Sequence, residues 1–214
     1  MKDLISIPFS DEPPLSEAFF DRGTLQVARD LLGCHLLRYS PDLLHWLRFR
    51  VVETEAYTAD DPACHAYNRK TGRAEMLYSH PGTAYVYLIY GMYNCLNVVT
   101  ESHGVAGAVL FRALEPLAPA SGLGEPLPLI PLKSLETAKR TNGPGRLCRA
   151  LQIDRATFNG LPLTQQDSGL YLAAGPQVAN ENVVQATRIG ITKAADFPWR
   201  FYIQDNPWVS VSKG

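Results

Sequence analysis

The sequence predicts a single mixed α/β domain that is rich in strands in its middle part and mainly antiparallel. A length of 214 residues suits one domain, with two small domains as the alternative. Several segments alternate apolar and polar residues across short connections, which favours antiparallel neighbours, and helical patterns flank them. We expect residues 1–15 to be irregular and residues 16–214 to form the domain.

The first predicted elements are a short helix and two strands. Residues 24–32 place apolar side chains on one helical face, with Thr24 as the N-cap and Gly33 at the end. Residues 34–39 and 45–55 are predicted as strands joined by a Ser-Pro-Asp turn.

Two acidic residues extend the apolar face of the second strand. With regular alternation, this face carries Leu47, Phe49, Val51, Glu53 and Glu55. A buried carboxylate is costly unless it is paired or used in chemistry. We therefore interpret Glu53 as a structural residue paired with an arginine, and Glu55 as a candidate functional residue.

A hairpin and a further strand are predicted in the middle of the chain. Alternation directs Tyr85 and Tyr87 to one face, whereas Tyr90 lies at the hairpin tip beside a turn at Gly91-Met92. Asn97 lies on the strand that follows the turn. The predicted strands span residues 83–90, 93–100 and 106–114.

The C-terminal part begins with a loop, because five prolines occur within residues 116–132. Helices are predicted over residues 133–141 and 144–151, the second with Asn142 as its N-cap and Pro144 in its first turn. The tail RFYIQDNPWVSV is predicted to form closing strands.

Composition and charge exclude several classes of protein. The four cysteines are widely spaced without a C-x-x-C pair, which argues against a zinc ribbon and indicates a reduced, cytoplasmic setting. The sequence lacks both a signal-peptide pattern and a stretch long enough to cross a membrane. The net charge is −1, yet residues 133–163 contain six lysines or arginines against two acids. Such a surface can contact phosphates, although a solvated helix face explains it equally well.

The most informative feature is a cluster of aromatic residues. Seven of the ten tyrosines lie between Tyr57 and Tyr93, and Glu55 and Arg112 flank this cluster. Aromatic faces stack on flat ligands such as nucleobases, and sugars also pack on them. A carboxylate beside such faces offers a general base, so we expect the functional site here.

If the ligand is a nucleobase, these residues suit chemistry on a nucleotide extruded from a duplex. Aromatic faces would come from Tyr57, His65 and Tyr87, a wedge from Tyr90, and a phosphate contact from Arg146.

Cleavage of the N-glycosidic bond passes through a cationic sugar, by analogy with glycoside hydrolysis. Glu55 would activate water and stabilise that cation, and Arg112 would hold Glu55 ionised. The only lysine in the aromatic cluster is Lys70, in a polar loop, so Schiff-base chemistry is not expected.

Seven segments of the chain together form a specific set of motifs. They are ARDLLG (28–33), VVETEAY (51–57), DPACHAY (61–67), PGTAYVYLIYGMYNCLNVV (81–99), LFRALEP (110–116), NGPGRLCRAL (142–151) and PWVSV (207–211). Through these motifs the chain resembles, over residues 16–212, the alkyladenine (3-methyladenine) DNA glycosylase family. Cys64 and Ala74 depart from the family's pattern.

This resemblance implies a curved antiparallel sheet in a single domain that works without metal or cofactor. It implies a bacterial, monomeric enzyme that acts on double-stranded DNA containing damaged purines. Glu55 would be the general base, with Arg112 and the main-chain carbonyl near Ile189 beside the water.

The resemblance also assigns the base pocket and the DNA contacts. Tyr57 would stack on one side of the flipped base, and Asn97 would disfavour the exocyclic amine of guanine. The remaining assignments are His65 and Tyr87 on the other side of the base, Tyr90 inserted into the duplex with Gly91 and Met92 beside it, and Arg146 on the backbone.

Two other classes of function stay open, a nucleic-acid binding module without catalysis and a sugar-processing hydrolase with an aromatic cleft. Turnover would separate the first from a glycosylase, and salt-sensitive DNA affinity would exclude the second. Asp60, Asp61, Cys64 and His65 include metal-ligand types, but no second group at metal spacing supports a metal site.

Overall fold

In the computed structural model, which describes residues 7–42, 44–117 and 141–210, eight strands form one sheet with antiparallel pairing throughout. The sheet order is β3-β4-β5-β2-β1-β6, and β8 pairs with both β2 and β7. This confirms the predicted mixed α/β fold. The strands are β1 (His35–Ser40), β2 (His45–Thr58), β3 (Ala84–Ile89), β4 (Tyr93–Val99), β5 (Gly107–Pro116), β6 (Leu170–Ala173), β7 (Val183–Ala186) and β8 (Arg200–Ile203).

The helices are short, and two predicted N-caps are wrong. Gly23 precedes the second helix, and Thr24 is its first residue, with the Thr24 hydroxyl donating to Glu101 at 2.7 Å. Gly143 caps the third helix, while the Asn142 side chain accepts a hydrogen bond from Arg146. The helices are α1 (Glu17–Phe20), α2 (Thr24–Asp30), α3 (Pro144–Ala150) and α4 (Arg155–Phe158), with 3₁₀ helices at Gly72–Tyr78 and Asn180–Asn182.

Strand β2 changes partners along its length. Its N-terminal half lies beside β1, whereas Glu53–Glu55 lies between β5 and β8. The pairing with β5 shifts register between Val51 and Glu53 and again between Glu53 and Thr54. The regular alternation predicted for this strand therefore breaks at Glu53. Such irregularities bend a strand and increase its twist, which curves the sheet around the two acidic residues.

The main core lies between the sheet and the helices α2 and α3. Buried side chains that meet in this core include Val27, Val52, Phe111 and Leu147. Because β2 and β5 carry apolar residues on both faces near this core, the two acids on β2 are cut off from solvent.

The predicted strands β1, β3, β4 and β5 are confirmed within two residues, and β2 runs three residues further than predicted. Of the tail predicted as closing strands, only Arg200–Ile203 forms a strand, β8. The structure adds β6 and β7, whose four residues each are too few to show alternation in the sequence. Most of the proline-rich loop (116–132) and of the predicted helix (133–141) lies outside the described residues. No helix within the described ranges is long and apolar enough to cross a membrane.

Candidate active site

Glu55 is fully buried, and both of its carboxylate oxygens accept hydrogen bonds. Oε1 accepts the backbone N–H of Ile189 at 2.8 Å and lies 3.1 Å from Nη1 of Arg112. Oε2 accepts the hydroxyl of Tyr57 at 2.7 Å. Pairing of Glu55 with Arg200 at the start of β8 brings the loop between β7 and β8 to this end of β2. Three donors therefore hold the carboxylate in one orientation.

Arg112 lies between two buried carboxylates. Its Nε is 3.2 Å from Oε1 of Glu53, and its Nη1 faces Glu55. Burial acts against the charge of Arg112, but the two carboxylates outweigh burial and raise the pKa of the guanidinium. Glu53 also accepts hydrogen bonds from Arg200 at 2.9 Å and from the N–H of Ser210 at 2.8 Å. The interpretation of Glu53 as a structural partner of arginine is confirmed, with two arginines instead of one.

A second buried ion pair joins Arg188 and Asp61, whose side chains are both 0% exposed. Both nitrogens of the Arg188 fork bond to Asp61, with Nη2 at 3.0 Å from Oδ1. Nη1 also donates to the carbonyl of Ala56 at 2.9 Å, and the guanidinium carbon lies 4.6 Å from the centroid of the Tyr57 ring. The Arg188–Asp61 pair thus connects β2 and the loop after β2 to the segment that contains Ile189.

Sequence reasoning missed the role of Arg188, because its partner is 127 residues away and neither residue shows a local signal. Asp61 has the chemistry of a metal ligand, but in the structure its carboxylate is bound by Arg188. The described part of the chain contains no group of three side chains placed to hold a metal ion.

Six of the predicted site residues line one cavity of about 400 Å³. On its wall, the ring of His65 meets the ring of Tyr87 edge to face at 4.7 Å, and Nδ1 of His65 lies 2.8 Å from the Tyr85 hydroxyl. The six residues are Tyr57, His65, Tyr87, Tyr90, Gly91 and Asn97.

Two titratable rings of the cavity wall, those of His65 and Tyr57, are uncharged near neutral pH. Burial lowers the pKa of His65, and the nearby guanidinium groups of Arg73 and Arg69 lower it further. Burial, followed by the carboxylate of Glu55, raises the pKa of Tyr57 well above its usual value. The imidazole is therefore neutral and the Tyr57 hydroxyl keeps its proton, so both rings offer uncharged aromatic surfaces.

The two residues that depart from the family's pattern are buried next to this cavity. Cys64 lines the cavity wall and Ala74 is 0% exposed, and both belong to one apolar cluster. Burial raises the pKa of the Cys64 thiol to about 11, so the thiol stays protonated at neutral pH.

The hairpin between β3 and β4 projects two large side chains into solvent. Tyr90 is 82% exposed and Met92 is 67% exposed. The turn is centred on Tyr90 and Gly91, with φ values of 53° and 69°, one residue before the predicted position. Glycine suits such a φ, whereas a tyrosine there is strained. The strained backbone directs Tyr90 outward beside the cavity.

The other predicted residues lie around the cavity instead of in its wall. Glu55, Arg112 and Ile189 lie behind Tyr57, as described above. Arg146 is exposed on α3, where its Nη1 donates to Asn142 at 2.9 Å. The preceding residue, Gly145, packs against Tyr93 so closely that an added Cβ would lie 3.0 Å from the Cβ of Tyr93.

A second groove, of about 600 Å³, runs along the outer edge of β3. It shares five residues with the cavity, and the exposed Arg155 lines the groove but not the cavity. The shared residues are Arg73, Tyr85, Tyr87, Leu88 and Gly91. Basic side chains therefore stand beside the aromatic cavity and the hairpin tip.

Comparison with known proteins gives concordant matches. Residues 18–207 match the family model described as methylpurine-DNA glycosylase. Relatives named "Putative 3-methyladenine DNA glycosylase" come from Herpetosiphon aurantiacus (43% identity, 92% of this chain and 88% of the relative), Synechococcus sp. (48%, 86% and 92%) and Salinibacter ruber (44%, 92% and 96%).

Proposed function

Because the chain belongs to the methylpurine-DNA glycosylase family, we propose that it flips a damaged purine out of duplex DNA and hydrolyses its N-glycosidic bond with a water activated by Glu55. Family membership makes the chain a hydrolase that cleaves N-glycosyl bonds in DNA. The base at the cleaved bond is 3-methyladenine or another methylpurine. The observation that carries the mechanism is a fully buried carboxylate hydrogen-bonded to an aromatic residue of the cavity wall.

The hydrogen bonds of Glu55 leave room for one more partner. A carboxylate has about four acceptor positions on its two oxygens. The N–H of Ile189 and the ion-paired guanidinium of Arg112 lie against Oε1, and the hydroxyl of Tyr57 occupies one position of Oε2. In the proposed mechanism the attacking water donates to the remaining position of Oε2. From the resemblance, the carbonyl of Ile189 also contacts this water.

Charge development at the sugar favours the same carboxylate. As the glycosidic bond breaks, the sugar becomes cationic, and a nearby anion stabilises it most strongly where water is excluded. Arg112 is shared between Glu55 and Glu53, so it orients Glu55 without neutralising it alone.

The cavity suits a flat purine. Tyr57 would stack on one face of the base, and His65 with Tyr87 would contact the other. Because His65 is neutral, it does not repel a base that carries positive charge after alkylation, and electron-rich rings attract such a base. Asn97 donates its amide N–H to the carbonyl of Tyr85 at 3.0 Å, which fixes its side chain where it would exclude the exocyclic amine of guanine.

The hairpin tip is the proposed wedge. Tyr90 would fill the gap left by the flipped nucleotide, with Gly91 and Met92 beside it, since apolar wedges between base steps stabilise distorted duplexes. Arg146 would contact a backbone phosphate, and its exposure supports this contact.

We propose alkylated and deaminated purines as substrates and a mechanism without strand cleavage. None of the described residues that line the cavity is a lysine, and Lys70 stands over the ring of Tyr78 instead. An amine for Schiff-base chemistry is therefore lacking among the described residues of the cavity wall.

The first experiment incubates the purified protein, in EDTA, with duplexes that contain methylated purines or hypoxanthine. We expect released base and abasic sites without strand breaks. Glu55→Gln is the matched control, and its excision rate should fall by roughly 10²- to 10⁴-fold, the usual contribution of a general base. Full activity of Glu55→Gln, or binding without release by the wild type, would refute the mechanism.

We also propose a monomer in a bacterial cytoplasm. The four cysteines are all free and buried, which agrees with a reducing compartment. Light scattering of the purified protein tests the oligomeric state, and a dimer mass would overturn this part of the proposal.

A further inference from the structure

The two faces of the Tyr57 ring lie in different surroundings. The ring lines the cavity, while the guanidinium carbon of Arg188 lies 4.6 Å from its centroid. Arg188 is 0% exposed in its side chain and is not among the residues that line the cavity. Since a ring has two faces, Arg188 covers the face turned away from the cavity.

A cation behind an aromatic ring weakens the attraction of the front face for a second cation. The first cation draws π-electron density towards itself, and the two charges repel each other directly. A base that stacks on Tyr57 at about 3.5 Å would lie roughly 8 Å from the guanidinium carbon. An isolated Arg188 would thus disfavour positively charged bases relative to neutral ones.

Arg188 is nevertheless tied into the site by its hydrogen bonds. It donates to the carbonyl of Ala56, next to Glu55, and to the carbonyl of Ala194 at 3.3 Å. It therefore holds the loop of Ile189 against β2. Both hydrogen bonds are donated by nitrogens of the guanidinium, so the positive charge accompanies the structural role.

The carboxylate of Asp61 neutralises the positive charge of Arg188, because both of its oxygens contact the guanidinium and its side chain is 0% exposed. We propose that Asp61 is a specificity-determining residue: by neutralising the guanidinium behind Tyr57, it allows the cavity to accept positively charged as well as neutral damaged bases. This inference rests on the proposed function, because it requires the excised base to stack on Tyr57.

The test compares single-turnover excision of a cationic base, 7-methylguanine, with that of a neutral base, hypoxanthine, from otherwise identical duplexes. Asp61→Asn keeps the shape of the side chain and one acceptor but removes the negative charge. The ratio of the cationic to the neutral rate should fall, by up to about tenfold, because the guanidinium about 8 Å from the stacked base is then no longer neutralised.

The matched control is Asp60→Asn, at an exposed neighbouring acid that bonds only to Thr58 in the described structure. Solvent screens Asp60, so the ratio should stay at the wild-type value. Arg188→Gln should raise the ratio, and the double variant with Asp61→Asn should return it towards the wild type.

An unchanged ratio in a folded Asp61→Asn protein overturns the proposal. If Asp61→Asn does not fold, Arg188→Gln provides the test instead. In that variant the ratio of the cationic to the neutral rate should rise, and an unchanged ratio overturns the proposal. If the wild type excises neither base, the proposed function fails. If it excises both and the ratio does not respond, only the role of Asp61 fails.

Discussion

The hydroxyl group of Tyr57 donates a 2.7 Å hydrogen bond to Oε2 of Glu55, two positions earlier on β2. Residues two apart on a strand share a face, so the carboxylate lies beside the hydroxyl end of the ring, and the ring itself lines the cavity. Tyr57 can therefore do two things, stack on the base with its ring and orient the carboxylate with its hydroxyl. These two contributions are separable by substitution.

Tyr57→Phe should slow the chemical step while leaving lesion binding nearly unchanged. The ring remains, whereas Glu55 loses a charge-assisted hydrogen bond worth about 1.5–3 kcal/mol, so a loss of roughly tenfold or more in the single-turnover rate is expected. Affinity for a lesion duplex, measured by fluorescence anisotropy, should stay near the wild-type value. Equal losses in affinity and rate would show that the hydroxyl acts on binding instead.

Tyr90→Ala should weaken lesion binding and base flipping without affecting the fold. The side chain is 82% exposed, so the free energy of unfolding should change by no more than about 0.5 kcal/mol. Loss of a wedge should lower affinity and excision on the order of tenfold, because unstacking a base step costs a few kcal/mol. Tyr90→Phe, which keeps the ring, is the control. Wild-type excision by folded Tyr90→Ala would remove the wedge from the mechanism.

Glu53→Gln should destabilise the protein strongly. Glu53 is 0% exposed and pairs with Arg112 and Arg200, so the substitution leaves two buried cations with less compensation, at a cost of about 3–5 kcal/mol. Urea unfolding measures this change. Asp30→Asn is the control, since the Asp30–Arg22 pair is partly exposed and should contribute only about 0–1 kcal/mol. Similar effects of the two substitutions would contradict the proposed role of Glu53.

His65 should make stability depend on pH in the acid range. Its pKa in the folded protein is lowered by burial and by Arg73 and Arg69, so the unfolded chain binds a proton first as the pH falls below about 6.5. Its contribution is therefore complete above that pH and is lost as the pH falls through the folded pKa.

The measurement is the free energy of unfolding of the wild type and of His65→Gln at about pH 7.5 and about pH 5.5. The wild type should lose more stability than the variant between these two values. Equal losses would show that His65 titrates alike in the folded and unfolded states.

Local patterns determined much of this protein. Alternation and turn residues located β1 to β5 because each of these strands has at least six residues and therefore shows its period. The four-residue strand β8 was located only as the first part of a longer predicted tail. The aromatic residues of the cavity could also be found, since Tyr57, His65 and Tyr87 are near one another along the chain. Capping failed at Thr24 because its hydroxyl bonds to the distant Glu101, and at Asn142 because its side chain accepts from Arg146 of the adjacent helix instead of from a backbone N–H.

Only the tertiary structure decided how the carboxylate of Glu55 is held. The contact of Glu55 with Ile189 spans 134 residues, that of Arg188 with Asp61 spans 127, and that of Glu53 with Ser210 spans 157. Each depends on packing of β8 and the segments around it against the irregular part of β2. Burial of a charge is a property of the assembled chain, so the choice of its partner leaves no periodic signal in the sequence.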